Sequence, residues 1–485
     1  MQYKYVALTN TTIGAFMALL DSNIVLISLP TIIRGIPGMT TVEGLWVIMG
    51  YTLVTGTLLL TIGRLADMFG RVKLYNLGFV IFTVGSGLCS IAWSGLSLVL
   101  FRLVQGVGGG LLWANNAAIL TDAFPVNERG RAIGLNQVAA TSGAVIGLIA
   151  GGVLTQLLGW QSIFWINLPV GIFATVWAYA RLKELHPPAK GERIDPIGNI
   201  LFAAGLTIGL LGLTLGAISG FALTDDVMMI AGVACLVAFV FYEPRIASPM
   251  MDLKLFAIRP FSAGVLSNLL ASISRGAVGL LLVFYFQGAL GDDALTAGIL
   301  LIPFALAFVA FGPLSGWLSD HFGARGFATG GLLVSAASFA WFAVLPFGTA
   351  YAVLVIPMVL AGIGGGLFVA PNVASIMNAV PVARRGVASG VSATLFNLGF
   401  LLSLGLAFVV LATGMPVTVL QDIFAGQPVA ATAVNIGRFM DSYHLIFEIV
   451  AVISLIGAIP SYFRGSRPSP GRDEAKGLSP PGTIH

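Results

Sequence analysis

The chain has 485 residues, of which 57% are hydrophobic and 9% are charged, and its formal charge at pH 7 is +4. Soluble globular proteins carry about 25% charged residues, so this composition excludes a water-soluble fold and indicates a lipid bilayer as the main solvent. The two cysteines, Cys89 and Cys235, lie inside apolar runs, which excludes a disulfide framework and a cysteine-rich metal site.

Fourteen apolar stretches are long enough to cross a bilayer core of roughly 30 Å, which takes about 20 helical residues. They lie at approximately 6–32, 44–62, 74–93, 97–119, 132–157, 161–181, 196–218, 226–243, 260–288, 294–316, 326–346, 350–373, 387–412 and 441–463. The longest connection on the far side from the termini is 413–440. The first run is too long for a cleaved signal peptide, so the sequence predicts an all-α polytopic membrane protein.

Lysine and arginine positions orient these helices, because cytoplasmic loops carry an excess of basic residues. An even number of helices places both termini on one side of the membrane. Of 24 basic residues, Arg34 and Arg438 fall on the other side and Arg102 and Arg275 fall within the membrane, which leaves 20 on the side of the termini. We therefore predict that both termini are cytoplasmic. These residues are spread over many short loops, which argues against nucleic-acid binding.

An internal repeat divides the chain. Residues 106–118, GVGGGLLWANNAA, align with 362–374, GIGGGLFVAPNVA, with eight of 13 positions identical at an offset of 256, and residues 63–70 match 316–323 at an offset of 253. The predicted organisation is an N-terminal six-helix bundle at 1–182, a cytoplasmic linker with two inserted helices at 183–259, a C-terminal six-helix bundle at 260–463, and a disordered cytoplasmic tail at 464–485.

Four segments carry a family resemblance: GRLADMFGRVK at 63–73, LDSNIVLISLP at 20–30, FRLVQGVGGG at 101–110 and GWQSIFWINLPVG at 159–171. They resemble motifs of the major facilitator superfamily, and the segment at 20–30 resembles its fourteen-helix branch of drug:proton antiporters. Two positions depart from the pattern, because Leu148 stands where the helix-5 motif has proline and Leu26 stands where asparagine is usual.

This resemblance implies a multi-pass protein of the cell membrane whose two bundles give alternating access to a site between them. It implies export of small lipophilic, drug-like compounds, cations among them, in exchange for protons. The expected partners are a small-molecule substrate, protons and the lipid bilayer, with the oligomeric state left open. No nucleophile–base set, metal-ligand spacing or nucleotide-binding motif is present in the sequence, so we expect neither enzymatic activity nor a cofactor.

Asp21 is predicted to lie near the middle of the membrane, about 12 residues or roughly 18 Å from the far end of helix 1. A charged side chain at this depth costs several kcal/mol, which makes it a functional candidate. Burial favours the protonated carboxyl, whereas a bound cation or water favours the carboxylate, so Asp21 is a candidate for exchanging a proton for substrate. The alternative is a structural carboxylate paired with Arg102.

Three further charges lie in predicted helices. Arg102 in helix 4 is expected to line the cavity and to reach toward Asp21, with a snorkelling side chain as the alternative. Its repeat counterpart is Met358, so the bundle itself does not require a cation there. Arg275, at the depth of Asp21, is predicted either to pair with Asp21 across the cleft or to bind an anion. Glu448 in helix 14 is assigned a structural or interfacial role.

The 63–73 loop is the candidate gate. By resemblance it latches the two halves in one access state, through the residues Gly63, Asp67, Gly70 and Arg71. Asp67 is expected to meet a helix N-terminus or an arginine of the other bundle, and the alternative is that the loop only marks the topology. Asp320 is the counterpart of Asp67 in the second half, where Ala324 replaces the following arginine.

Small and aromatic residues complete the candidate set. Close packing of helix 5, with hinge motion as a sharper alternative, is predicted from Gly143, Gly147, Gly151 and Gly152. An aromatic substrate cavity, with ordinary packing as the alternative, is predicted from Trp46, Tyr51, Trp113 and Tyr285.

Two other functions compete with proton-coupled export. One is transport of a single specific metabolite, an anion included through Arg102 and Arg275. The other is a membrane sensor or scaffold that transports nothing. The intact 63–73 loop and the intramembrane Asp21 weigh against a scaffold, which has no need of a buried charge.

Overall fold

The computed structural model describes residues 2–125, 128–185, 194–246, 249–251, 253–381, 384–427 and 433–465, apart from the side chains at 67, 129–131, 320 and 433. The predicted tail lies outside this range from residue 466 onward. Among the described residues, fourteen helical units, α1 to α14, overlap the fourteen predicted spans. They are α1 Tyr3–Gly35, α2 Thr41–Phe69, α3 Arg71–Ser90, α4 Gly95–Ala123, α5 Arg129–Leu158, α6 Ser162–Trp165 with Asn167–Arg181, α7 Pro196–Ser219, α8 Leu223–Tyr242, α9 Arg259–Arg275 with Val278–Val283 and Phe284–Ala289, α10 Ala294–Leu300 with Ile302–Phe322, α11 Ala324–Phe342, α12 Tyr351–Asn378, α13 Arg385–Gly414 and α14 Ala433–Phe463.

Thirteen of these units are long and apolar enough to cross a membrane, judged on the described residues. The remaining unit, α11, has 19 residues and is about 28 Å long at 1.5 Å per residue, close to the thickness of a bilayer core. The all-α membrane architecture predicted from the sequence is confirmed.

Local sequence explains where several helices begin and end. Thr40 and Glu43 form a reciprocal capping box at the start of α2, and Ser94 caps α4, so backbone N–H groups without an intrahelical partner are satisfied. Between α2 and α3, Gly70 has φ +104°, a conformation that glycine adopts readily because it has no Cβ. The chain therefore reverses direction within one residue at the candidate gate.

The repeat seen in the sequence reappears as matching contacts. Asn116 of α4 donates to the carbonyl of Thr11 in α1 over 2.7 Å, and Asn372 of α12 donates to the carbonyl of Gly264 in α9 over 3.2 Å. These pairs are related by the sequence offsets of 256 and 253. The same helix pairs therefore cross in the same register in both halves.

Pairs of glycines bring α3 close to α4 and, at the equivalent place in the second half, α11 close to α12. A methyl group on Gly108 of α4 would meet the Gly78 carbonyl of α3 at 2.9 Å, and one on Gly364 of α12 would meet the Gly331 carbonyl of α11 at 2.7 Å. Such contacts are typical of membrane helices, which associate through small residues because no hydrophobic drive acts between them.

The inserted helices α7 and α8 pack against each other and, through α7, against α2 and α13. Their crossing is close, because a methyl group on Gly232 would lie 2.6 Å from the Gly209 Cα. The indole of Trp46 in α2 donates to Thr214 Oγ1 of α7 over 3.1 Å. The insertion is thus held against helices of both halves.

The structure differs from the sequence prediction in several helical details. The connection predicted at 413–440 contains the helix Val417–Phe424, and α14 begins at Ala433 rather than near 441. Helix α9 is interrupted after Arg275 and ends in a π-helical segment, Phe284–Ala289. Helix α10 is divided at Leu301. Continuous apolar runs do not reveal such interruptions, because hydropathy measures burial in lipid and not backbone geometry.

Candidate functional site

Asp21 forms an ion pair with Arg102 inside the N-terminal half. The Arg102 Nη1 atom lies 2.6 Å from Asp21 Oδ2, and both side chains are almost completely inaccessible, at 2% and 0% exposure. Asp21 comes from α1 and Arg102 from α4. The structure therefore forms the contact between Arg102 and Asp21 that the sequence analysis expected, and this contact fits both a coupling role and the structural alternative.

Two amides complete the surroundings of the carboxylate. Gln105 Nε2 donates to Asp21 Oδ1 over 2.9 Å, and Asn167 Nδ2 donates to the same oxygen over 2.8 Å. Both amides also donate to Ser86 Oγ, over 2.6 and 3.2 Å. The network therefore joins α1, α3, α4 and α6.

Arg102 has further partners. Its Nε donates to the Val47 carbonyl over 3.1 Å, its Nη1 donates to Gln105 Oε1 over 2.7 Å, and its guanidinium lies 4.4 Å from the centre of the Tyr51 ring. The packing around the arginine explains its low exposure, and the snorkelling alternative does not describe this structure.

The hydrogen-bond pattern fits an ionised Asp21. Arg102, Gln105 and Asn167 all donate to the carboxylate, and a carboxylate without a proton only accepts. If Asp21 carried a proton, its O–H group would face the N–H donors of Arg102, Gln105 and Asn167. The hydrogen bond from Arg102 would then be weaker. The observed hydrogen bonds therefore fit the ion pair between Asp21 and Arg102.

Arg275 lies apart from this network. No ion pair joins it to Asp21, so the predicted central pair across the cleft is not formed here. Its guanidinium lies 5.0 Å from the centre of the Phe308 ring, beside a cavity of about 120 Å³ in the C-terminal half. Glu448 is exposed on α14 and is not among the residues that line this cavity.

The two halves meet on the side of the membrane opposite the termini. Arg34, at the end of α1, donates to the Gly426 carbonyl over 2.8 Å, and Gln287 of α9 donates to the Ile27 carbonyl over 2.8 Å. A methyl group on Gly152 of α5 would lie 2.6 Å from the Leu295 Cα of α10. These contacts close the cleft on that side.

The candidate gate is described in part. Arg71 Nη1 donates to both carboxylate oxygens of Asp122, over 2.9 and 3.1 Å. The Glu184 carboxylate accepts from the amides of Arg71 and Val72 at the start of α3. Gly63 faces open space. The side chain of Asp67 lies outside the described residues, so its predicted latch contact stays a prediction.

The helix-5 glycines lie against neighbouring backbones. Methyl groups on Gly143 and Gly147 would approach the carbonyl oxygens of Phe16 and Leu20 in α1 at 2.6 and 2.7 Å, and one on Gly151 would meet the side chain of Ile27. Gly152 instead faces α10. The glycines thus let α5 pack closely against α1 of its own half and against α10 of the other half. The hinge hypothesis remains a prediction.

The aromatic candidates are dispersed. Trp46 contacts α7 and Tyr51 stacks on Arg102, as described above. Trp113 is partly buried in α4, and Tyr285 is buried next to Tyr443, with ring centres 5.5 Å apart. The structure does not bring these four side chains together around one cavity.

Three polar members of the network were missed by the sequence analysis. Gln105 lies three residues after Arg102, so the two share a helix face, and this spacing could have identified it. Asn167 lies in the segment WINLPVG, where a lone amide inside an apolar run was the available signal. Ser86 gives no comparable signal, because serine is common in membrane helices.

Comparisons with known proteins agree with this architecture. The family model of the Major Facilitator Superfamily matches residues 11–265 and 264–484. The chain is 33% identical to the riboflavin transporter RibZ of Clostridioides difficile (strain 630), over 84% of this chain and 88% of that protein. It is 32% identical to the cephamycin export protein CmcT of Amycolatopsis lactamdurans, over 82% and 83%.

Among solved structures, the chain resembles a bacterial homologue of the human lysosomal transporter Spinster in an inward-facing, unoccupied conformation. The TM-score is 0.66, with 16% sequence identity over 95% of this chain and 97% of that one. At this identity the likeness concerns the fold, and it covers nearly the whole chain.

Proposed function

The chain belongs to the major facilitator superfamily of membrane transporters, and we propose that it exports small lipophilic organic compounds in exchange for protons. The observation that carries this proposal is the buried Asp21–Arg102 pair. A carboxylate deep in a membrane helix is expensive, and the repeat counterparts Ser274 and Met358 show that the bundle can be built without it. A role in proton coupling explains why the chain has a costly carboxylate at this position.

The proposed cycle uses the two charge states of the Asp21 network. With Asp21 ionised, Arg102, Gln105 and Asn167 hold α1, α4 and α6 together. A proton arriving from the far side neutralises Asp21 and frees Arg102, so the helices can move apart. Release of the proton on the side of the termini restores the pair. Coupling requires only that substrate and proton favour different arrangements of the halves.

Export is the direction that the sequence resemblance favours, and the name of the cephamycin export relative supports it. Close packing of Gly152 against α10 supplies a contact that must open on the far side during the cycle. The substrate class is taken from the resemblance to drug:proton antiporters and includes lipophilic cations.

Proton-coupled export is tested in proteoliposomes that hold a pH indicator and a chosen pH gradient. Three probes cover the charge classes: ethidium as a lipophilic cation, riboflavin as an uncharged compound and 2-naphthoate as an anion. At least one is expected to accumulate against its concentration gradient with counterflow of protons, and a protonophore should abolish this accumulation. Accumulation that persists after the pH gradient is collapsed would contradict proton exchange.

A second candidate is transport of one specific metabolite. The observation that favours it is the similarity to a relative named as a riboflavin transporter. The match covers 84% of this chain. The same panel separates the candidates. Movement of a single probe together with its close analogues favours a specific transporter, whereas movement of unrelated lipophilic compounds favours drug export.

A further inference from the structure

Arg275 is a membrane-embedded charge that proton exchange at Asp21 does not use. It is the last residue of the first segment of α9, where the helix is interrupted. Just beyond it, the amide of Ala277 donates to Ser403 Oγ of α13 over 2.9 Å. Interrupted helices near the middle of a membrane are a recurrent setting for substrate sites in transporters.

No carboxylate contacts Arg275 among the residues that the structure describes. Its neighbours are the ring of Phe308 and the backbone of α12, where a methyl group on Gly365 would lie 2.5 Å from the guanidinium Cζ. A cation inside a membrane protein is normally paired or faces water. An arginine that lacks an acidic partner is therefore a ready site for an anion, which its planar fork binds well.

The internal repeat shows how the surroundings of Arg275 differ from those of Arg102. Gly109 and Gly365 are equivalent positions in the GxGGG segments. Gly109 leaves room for Tyr51, which stacks on Arg102, and Gly365 leaves room for Arg275 itself. Both halves thus hold a guanidinium near the same point of the fold. In the N-terminal half Asp21 neutralises it, while the C-terminal half has Ser274 at the position equivalent to Asp21.

The cavity beside Arg275 has a matching lining. Its walls combine polar groups with aromatic rings, contributed by Asn268, Ser272, Arg275, Phe368, Phe396 and Phe400. Its volume of about 120 Å³ is smaller than pockets that enclose a drug-sized molecule, which measure roughly 300–1,000 Å³. It therefore suits one acidic group and the ring next to it, with the rest of a substrate lying in the cleft between the halves.

We propose that Arg275 binds the acidic group of substrates that carry it on an aromatic ring, with the phenylalanine rings of the cavity contacting that ring. This inference rests on the proposed transport function and names a substrate class for it: aromatic organic acids. Asn268 donates to Ser392 and Ser272 donates to the Leu269 carbonyl, so the guanidinium of Arg275 supplies the hydrogen bonds to the acid.

Binding is measured with three probes of one shape and different charge: 2-naphthoate, 2-naphthylmethanol and 2-naphthylmethylammonium. Equilibrium dialysis against the purified protein in lipid nanodiscs, with empty nanodiscs as the blank, needs no pH gradient. The wild-type protein is expected to bind the anion at least about tenfold more tightly than the alcohol, as hydrogen bonds to a charged group provide, and the cation most weakly.

Two variants test the residue. Arg275→Gln should weaken 2-naphthoate binding about tenfold and change 2-naphthylmethanol binding less than twofold. Gly365→Ala keeps the charge but displaces the guanidinium, so it should also weaken the anion selectively. The matched controls are Arg438→Gln, which removes an exposed arginine, and Gly312→Ala, which adds a methyl group facing open space. Both controls should bind like the wild type.

Equal affinity of the wild-type protein for anion and alcohol would overturn the proposal, as would binding of neither above the blank. Equal loss of both probes in Arg275→Gln, with a thermal unfolding midpoint like that of the wild type, would also overturn it and assign Arg275 a structural role. The failure of the proposed function can be distinguished from the failure of the acid site. If 2-naphthoate binds through Arg275 but no pH gradient drives transport, the acid site stands and proton exchange falls.

Discussion

At the scale of single residues, the pairing of Asp21 with Arg102 affects stability, apart from the role in proton coupling that we propose for it. Removing one member of a buried ion pair leaves the other charge uncompensated and costs about 3–5 kcal/mol, whereas replacing both members is often nearly neutral. The C-terminal half supplies a natural model for the second case, since Met358 occupies the position equivalent to Arg102.

We predict that Asp21→Asn and Arg102→Met each lower the thermal unfolding midpoint, while the double variant is more stable than either single one. The amide introduced in the double variant can still exchange hydrogen bonds with Gln105 and Asn167. The measurement is a double-mutant cycle of unfolding midpoints in one detergent. Additive losses in the double variant would show that the two side chains do not act as a pair.

Residue reasoning from the sequence identified the charges but not their complete environment. Asp21 and Arg102 stand out because a charge in an apolar helix is costly wherever it points. Asn167 and Ser86 become significant only once α6 and α3 are packed against α1. The direction of a polar, uncharged side chain around a membrane helix is not fixed by hydropathy, so these contacts needed the structure.

At the scale of helices, the glycines of α5 determine how closely it approaches α1. A methyl group on Gly147 would lie 2.7 Å from the Leu20 carbonyl oxygen and 3.3 Å from the Ile24 amide nitrogen. Backbone atoms cannot rotate away as side chains can, so added volume must separate the helices.

We predict that Gly147→Ala destabilises the protein by about 1–3 kcal/mol, as overpacking usually does. The matched control is Gly134→Ala on the same helix, which faces open space and should be neutral or slightly stabilising, because alanine is the better helix former. Thermal unfolding of both variants is the measurement. Equal midpoints for the two would show that α5 and α1 are not closely packed at Gly147.

Helix positions could be predicted because each run of about 20 apolar residues has only one stable conformation in lipid. The interruption of α9 at Arg275 and the helix Val417–Phe424 could not. An interruption is stabilised by tertiary contacts, such as the bond from Ala277 to Ser403, which leave no mark in a hydropathy pattern. The one clue was Arg275 itself, a charge within the span.

At the scale of the whole molecule, the internal repeat connects sequence to architecture. The offsets of 256 and 253 anticipated the pairs Asn116–Thr11 and Asn372–Gly264, which occupy the same places in the two halves. The asymmetry between the halves is as informative as the repeat. One half contains the Asp21–Arg102 pair and the other contains Arg275, and we propose proton coupling for the first and acid binding for the second.

The predicted orientation is a whole-molecule property set by the distribution of basic residues. Epitope tags at either terminus are expected to react with antibody only in permeabilised cells, whereas a tag between Gln427 and Ala433 should react in intact cells. Reaction of a terminal tag in intact cells would reverse the predicted orientation, and opposite accessibility of the two termini would refute an even number of spans.

The central claim, that Asp21 couples the proton to transport, is tested most directly by proton release. Purified protein in weakly buffered detergent solution is mixed with the probe that gives the largest transport signal, and released protons are followed with a pH indicator. The wild type should release protons on mixing. Asp21→Asn keeps the side-chain shape and removes the titrating group, so it should release fewer than about one tenth as many while still binding the probe. Undiminished release from Asp21→Asn would contradict the account.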